Sequence, residues 1–169
     1  MPPLRSPRRD EASDGMKVTE FLSPNAVVAE LRGTTKAEVL RELSDHLAVA
    51  YPGMLRGDRV LEVLAEREKL ASTGIGEGVA IPHGKMPGLD RLYAVFGVSH
   101  GGVDFSSIDK RPTHLFFALV APENSAGVHL KALARVSRLF RNPELRDAIL
   151  AAPGGPDIYR LISEEDNRA

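Results

Sequence analysis

Two runs, RLYAVFGVSH (91–100) and THLFFALVAP (113–122), limit the possible folds more than any other part of this sequence. Each is short and apolar, rich in aromatic and β-branched side chains, and bounded by Gly, Asp or Pro, as strands inside a sheet are. A sheet built on them needs cover on its faces, and the rest of the chain supplies helices. Thr35 and Glu38 form a capping box before Val39, Leu40, Leu43, Leu47 and Ala50, so a helix is expected from Thr35 to Ala50. A second should start with Asp58 as N-cap and carry Val60, Leu61, Leu64 and Leu70 on its apolar side. After Gly127, Leu133, Val136, Leu139 and Phe140 repeat at helical spacing, Asn142 caps a further helix with Pro143 at its first position, and a last helix runs from Pro156 to Glu165. NAVVAELRG (25–33) reads as another strand. Strands and helices mix without strict alternation, so the expected fold is a single α/β (α+β) domain with a central mixed β-sheet flanked by helices, spanning 16–169.

Ahead of it, MPPLRSPRRDEASDG holds three prolines, three arginines and three acids without the apolar core of a signal peptide, and is expected to be a disordered tail over 1–15. The net charge of -1 argues against a general nucleic-acid binder. With no cysteine there is no disulfide, thiol nucleophile or zinc-thiolate site. No apolar run approaches a membrane span, so membrane insertion is not expected and a cytoplasmic location is.

The chemistry concentrates in STGIGEGVAIPHGK (72–85), where four glycines and a proline surround His83. Glycine clusters let main-chain amides approach a ligand, and a histidine among such amides suggests phosphate. A Walker loop is excluded, because five residues rather than four separate Gly78 from Gly84 and Met86 follows Lys85. The dinucleotide fingerprint fails as well: Gly74, Gly76 and Gly78 alternate, and a helix precedes them where a strand is needed. Arg67, in EREKL, brings a fork suited to phosphate, and His129 sits in the first turn of a later helix, whose dipole favours negative charge. Read singly, each has a plainer role: a turn histidine, a solvated helix-end charge, a packed helix histidine. Metal binding by His83, His100, His114 and His129 lacks acid or thiolate ligands at a recognisable spacing.

EREKLASTGIGEGVAIPHGK closely resembles the active-site segment of the IIA domains of the phosphoenolpyruvate-dependent phosphotransferase system, mannitol/fructose class. Glu68, Ile75, Gly76, Val79, Ala80, Ile81, Pro82, His83 and Gly84 satisfy its signature throughout, and similarity extends from about Phe21 to Ile162. The segment looks most like the nitrogen-regulatory branch. The resemblance implies that His83 accepts phosphate on Nε2 from an HPr-like phosphocarrier, with Arg67 and His129 supporting the phosphate. Ser72, Thr73 and Gly74 of the glycine segment are expected to add donors. Neither cofactor nor metal is implied, because the donor is itself a phosphohistidine. The absence of an appended IIB-type or membrane segment fits a regulatory IIA, with protein targets, and equally a separately encoded sugar-transport IIA that hands phosphate to a IIB. A protein-interaction module without turnover is the reading from another class.

Overall fold

The computed structural model describes residues 16–168, so the tail expected over 1–15 lies outside the described residues. A short 3₁₀ turn, Val18–Glu20, leads into β1 (Leu22–Val28), followed by α1 (Lys36–Ala50) and α2 (Gly57–Leu70). Three short strands come next, β2 (Gly74–Gly76), β3 (Val79–Ala80) and β4 (His83–Met86), and then the long pair β5 (Tyr93–Val103) and β6 (Thr113–Pro122). Helices α3 (Ala126–Leu139), α4 (Pro143–Ala151) and α5 (Gly155–Arg168) complete the domain. The six strands form one mixed sheet in the order β1-β5-β6-β3-β2, with β4 also paired to β6.

Both apolar runs are strands at the centre of the sheet, as their composition requires, paired antiparallel with Phe96 opposite Phe117 and Val95 opposite Ala118. Alternation divides the two faces. On one, Tyr93 meets Tyr51 at the end of α1, and Leu31 covers Gly97. On the other, Phe96 stacks flat on Phe140, which closes α3, with ring centroids 5.3 Å apart. Helices therefore cover both faces.

Local chemistry explains most element ends. Thr35 caps α1 by accepting the Glu38 amide at 3.2 Å, while the Glu38 carboxylate reaches Thr34 instead of closing the box on Thr35. Asn142 caps α4 as expected, with Pro143 behind it. Asp58 is not the N-cap of α2: Arg56, two residues earlier, holds that position, and Asp58 sits in the first turn, where it pairs with Arg56 and meets the helix dipole. The first strand also differs, covering Leu22–Val28 rather than 25–33. Pro24 lies inside it, tolerated because β1 is at the sheet edge, where a missing N–H breaks no ladder.

One buried ion pair fixes the helical layer that bears on the site. Asp166 of α5 is fully buried and accepts from Arg135 of α3, 2.8 Å from Nη2 and 2.9 Å from Nε, and from the Val18 amide at 2.7 Å. It thus joins α3, α5 and the start of the domain. Losing one partner strands a charge out of water, so Asp166→Ala should lower stability by roughly 3–5 kcal/mol in urea unfolding. Asp157→Ala, which removes an exposed helical pair with Arg160, should cost less than about 1 kcal/mol. Equal losses would show that the buried pair has no special weight.

Candidate functional site

The glycine-rich stretch is mostly strand. β2 and β3 form a hairpin whose tip, Glu77 and Gly78, has φ of 59° and 79°, the twist that tight two-residue turns demand. β3 and β4 then lie end to end along the same side of β6, Val79 opposite Leu115 and His83 opposite Leu119. The break between them falls at Ile81 and Pro82. Proline has no N–H to give, and the Ile81 amide turns aside to the Thr73 carbonyl at 3.0 Å.

This register decides where the side chains go. His83 shares a face with Leu119, the face covered by α3, and there its ring meets His129 of α3 with centroids 5.3 Å apart. Gly84 points the opposite way, against α2. A Cβ at Gly84 would overlap Cγ1 of Val63, so only glycine lets α2 come this close to β4. That contact brings Arg67 of α2 to the same cleft as His83. The cleft measures about 640 Å³ and is lined by Arg59, Glu62, Arg67, His83, Lys85 and His129, among others.

His83 is half-buried, and its Nδ1 lies 2.6 Å from the Ile81 carbonyl oxygen. A carbonyl only accepts, so Nδ1 carries the proton and Nε2 keeps its lone pair. Burial holds the His83 pKa below the usual 6.5 against the opposing pull of the Ile81 hydrogen bond, and the Arg67 charge lowers it further while Glu68 raises it. His129 is buried and pushed down to about 4, by burial first and then by His83 and Lys85. Among the described residues its Nδ1 has no hydrogen-bond partner. Neutral imidazoles therefore face one another.

Arg67 donates from Nη1 to the Ala71 carbonyl at 2.8 Å, at the end of α2. Lys85 was not singled out from sequence, yet it stands two residues beyond His83 on the same strand face and lines the cleft. Its signal is the alternation of a strand within what reads as a glycine loop. Glu62 and Glu66 are paired with Arg59 and Lys69, whereas Arg67 and Lys85 have no ion pair among the described residues. The cleft keeps an unmatched positive balance.

Ser72, Thr73 and Gly74 stand outside the cleft lining, with the Ser72 hydroxyl, both Thr73 donors and the Gly74 amide engaged elsewhere. The Ser72 hydroxyl donates to the Phe105 carbonyl at 2.6 Å and accepts the Gly74 amide at 3.0 Å. The Thr73 amide and hydroxyl both go to Glu68, the hydroxyl at 2.6 Å. The Glu77 amide is bound by Asp109. Of the remaining histidines, His100 pairs with Glu30 and His114 with the Ser99 carbonyl, so the structure does not gather them with His83.

Comparison with known proteins finds relatives that span most of the chain. Residues 20–165 match the family described as phosphoenolpyruvate-dependent sugar phosphotransferase system, EIIA 2. A nitrogen regulatory protein of Bradyrhizobium diazoefficiens is 38% identical over 148 residues, covering 88% of this chain and 95% of that one. The fructose-specific EIIABC component of Bacillus subtilis is 36% identical over 152 residues, 89% of this chain and 24% of that protein. In structure, nitrogen regulatory protein IIA-Ntr from Neisseria meningitidis superposes with a TM-score of 0.79 at 30% identity, covering 86% of this chain and 98% of that one.

Two outcomes test the geometry. Gly84→Ala should push α2 off β4 and cost roughly 1–3 kcal/mol in urea unfolding, and Val63→Ala in the same chain should recover most of it. No recovery would mean that the close approach is not what demands glycine. His129 titrates near 4 when folded and near 6.5 when unfolded, so the unfolded chain binds the extra proton between those values. Its stabilisation is complete above pH 6.5 and is lost as the pH falls toward 4. Unfolding free energies measured across that window should slope less in His129→Asn; an unchanged slope would contradict the neutral, buried histidine.

Proposed function

The chain belongs to the EIIA 2 family of the phosphoenolpyruvate-dependent sugar phosphotransferase system, and we propose that it carries a phosphoryl group on Nε2 of His83 within a regulatory branch of that system. The observation that carries this reading is the hydrogen bond from His83 Nδ1 to Ile81, which leaves Nε2 unprotonated beside a cleft holding Arg67, Lys85 and His129.

The donor is an HPr-like phosphohistidine protein. The Nε2 lone pair of His83 forms the new N–P bond as the donor's N–P bond breaks, and the electron pair stays on the departing imidazole. No proton has to leave His83, because its own proton sits on Nδ1. The lowered His83 pKa keeps the nucleophile neutral at cytoplasmic pH. Phosphoryl transfer runs through a loose in-line transition state, so the protein's part is to align the groups and to stabilise charge on the transferring oxygens. Arg67 and Lys85 supply positive charge, and His129 supplies a neutral donor. Arg67 can exchange its Ala71 carbonyl for a phosphoryl oxygen, a stronger partner for guanidinium.

Leu70 of α2 lines the cleft as an exposed apolar side chain, and Val128 and Leu130, the neighbours of His129 in the sequence of α3, are exposed too, apolar surface that a partner protein can bury. Phosphorylation adds close to two negative charges beside it, so a partner seated there distinguishes the two forms. Similarity to nitrogen regulatory proteins over most of both chains supports a regulatory output. Similarity to a fructose-specific component supports the second reading, delivery to a sugar IIB.

Incubation with phosphoenolpyruvate, enzyme I and an HPr-like carrier should phosphorylate the protein, and His83→Ala should abolish labelling. Arg67→Ala should slow it on the order of a hundredfold, the scale for losing one donor to a transferring group. Labelling of His83→Ala at another residue would overturn the assignment. Rapid onward transfer to a sugar-specific IIB, with no partner distinguishing the two forms, would favour transport over regulation.

A further inference from the structure

Glu68 follows Arg67 in α2 but turns the other way. It is buried, and its carboxylate accepts the Thr73 amide at 3.0 and 3.2 Å, the Thr73 hydroxyl at 2.6 Å and the Lys36 ammonium of α1 at 2.9 Å. Four hydrogen bonds converge on one carboxylate. Three of them come from Thr73, the residue whose carbonyl receives the Ile81 amide at 3.0 Å. Ile81 in turn offers its carbonyl to His83 Nδ1 at 2.6 Å.

These contacts form one continuous series: Lys36, Glu68, Thr73, Ile81, His83. We propose that Lys36 and Glu68 are positioning residues for phosphoryl acceptance, which act through Thr73 and Ile81 to hold the His83 ring in its Nδ1–H tautomer. This inference rests on the reading of His83 as the phosphoryl acceptor.

The physical step that makes the series more than a list of bonds is the proline. A residue before proline is confined to extended backbone, so the rotation between the Ile81 amide and its carbonyl is restricted. Once the Ile81 N–H is tied to Thr73, the direction of the Ile81 carbonyl follows, and with it the direction of the Nδ1–H that it accepts. Thr73 can serve as the tie only while Glu68 holds it at both amide and hydroxyl. Lys36 supplies the opposite charge that the buried Glu68 carboxylate needs, since an unpaired charge out of water is costly. Lys36 is itself seated over the Phe105 ring, 4.7 Å from its centroid. A loose member anywhere along the series frees the imidazole to put its proton on Nε2, the form that cannot attack phosphorus through Nε2.

Imidazole nitrogen NMR of the full chain reads the tautomer, and transfer from a phosphorylated HPr-like carrier reads the chemistry. Wild type should show His83 with the proton on Nδ1. Glu68→Gln and Thr73→Val, both close in shape to the native side chains, should show a mixture of the two tautomers. Acceptance should slow on the order of tenfold, as when other supporting partners of a reactive histidine are removed. The KM for the carrier should not change, because neither residue lines the cleft. Thr73→Ser, which restores the hydroxyl, should regain most of the rate lost in Thr73→Val, and Lys36→Met should resemble Glu68→Gln. A single Nδ1–H tautomer with wild-type rates in both Glu68→Gln and Thr73→Val would overturn the proposal. Should Glu68→Gln fail to fold, Thr73→Val alone decides. The tautomer readout needs no phosphate, so it fails or succeeds separately from the acceptor reading: absence of labelling in wild type would strike that reading and leave the series intact.

Discussion

The hydrogen bond between His83 Nδ1 and the Ile81 carbonyl is the contact on which the rest of the site depends. An imidazole has two nitrogens and, at neutral pH, one proton, so whichever nitrogen is held as donor makes the other the nucleophile. Here the choice is made by a backbone carbonyl two residues away, in a segment with little freedom. Pro82 limits the backbone between, Thr73 fixes the Ile81 amide, and Leu119 of the central strand donates to the Pro82 carbonyl at 2.9 Å. Main-chain geometry thus leaves the Nε2 lone pair of His83 free.

The second constraint is the register of β4 on β6. Because successive residues of a strand point to opposite faces, His83 meets the α3 layer and Gly84 meets α2. The site exists at the end of the sheet where helices from both faces come within reach of one strand. A shift of one residue would send His83 toward Val63 and expose the glycine to His129. Burial of the two histidines then keeps both neutral, while Arg67 and Lys85 leave the cleft with positive charge that nothing among the described residues balances. On the proposed function, the unpaired charges of Arg67 and Lys85 are what would draw a phosphoryl group into this cleft.

Much of this was legible in the sequence, for identifiable reasons. The paired central strands declared themselves by apolar runs that cannot stay in water, and the caps at Thr35 and Asn142 by local hydrogen bonding. The meeting of His83 with His129 followed only from resemblance, since no spacing rule links a strand at 83 to a helix at 129. The roles within STGIGEGVAIPHGK were less readable. Ser72, Thr73 and Gly74 look like phosphate donors because they are near His83 in sequence, but the hairpin carries them to the other side of the strand break, where Glu68 and Phe105 take up their hydrogen bonds. Lys85 was hidden because its strand is four residues long and begins with the histidine itself. Asp58 lies two residues past the capping position, a shift that the helix dipole leaves almost without cost.

The central claim is that Nε2 of His83 is the phosphorylated atom, and the most direct measurement is nitrogen-phosphorus coupling in the phosphorylated, nitrogen-labelled protein. The account predicts one-bond coupling from phosphorus to Nε2 of His83, with Nδ1 still carrying the proton that Ile81 accepts. Coupling to Nδ1 of His83, or to either nitrogen of His129, would contradict it.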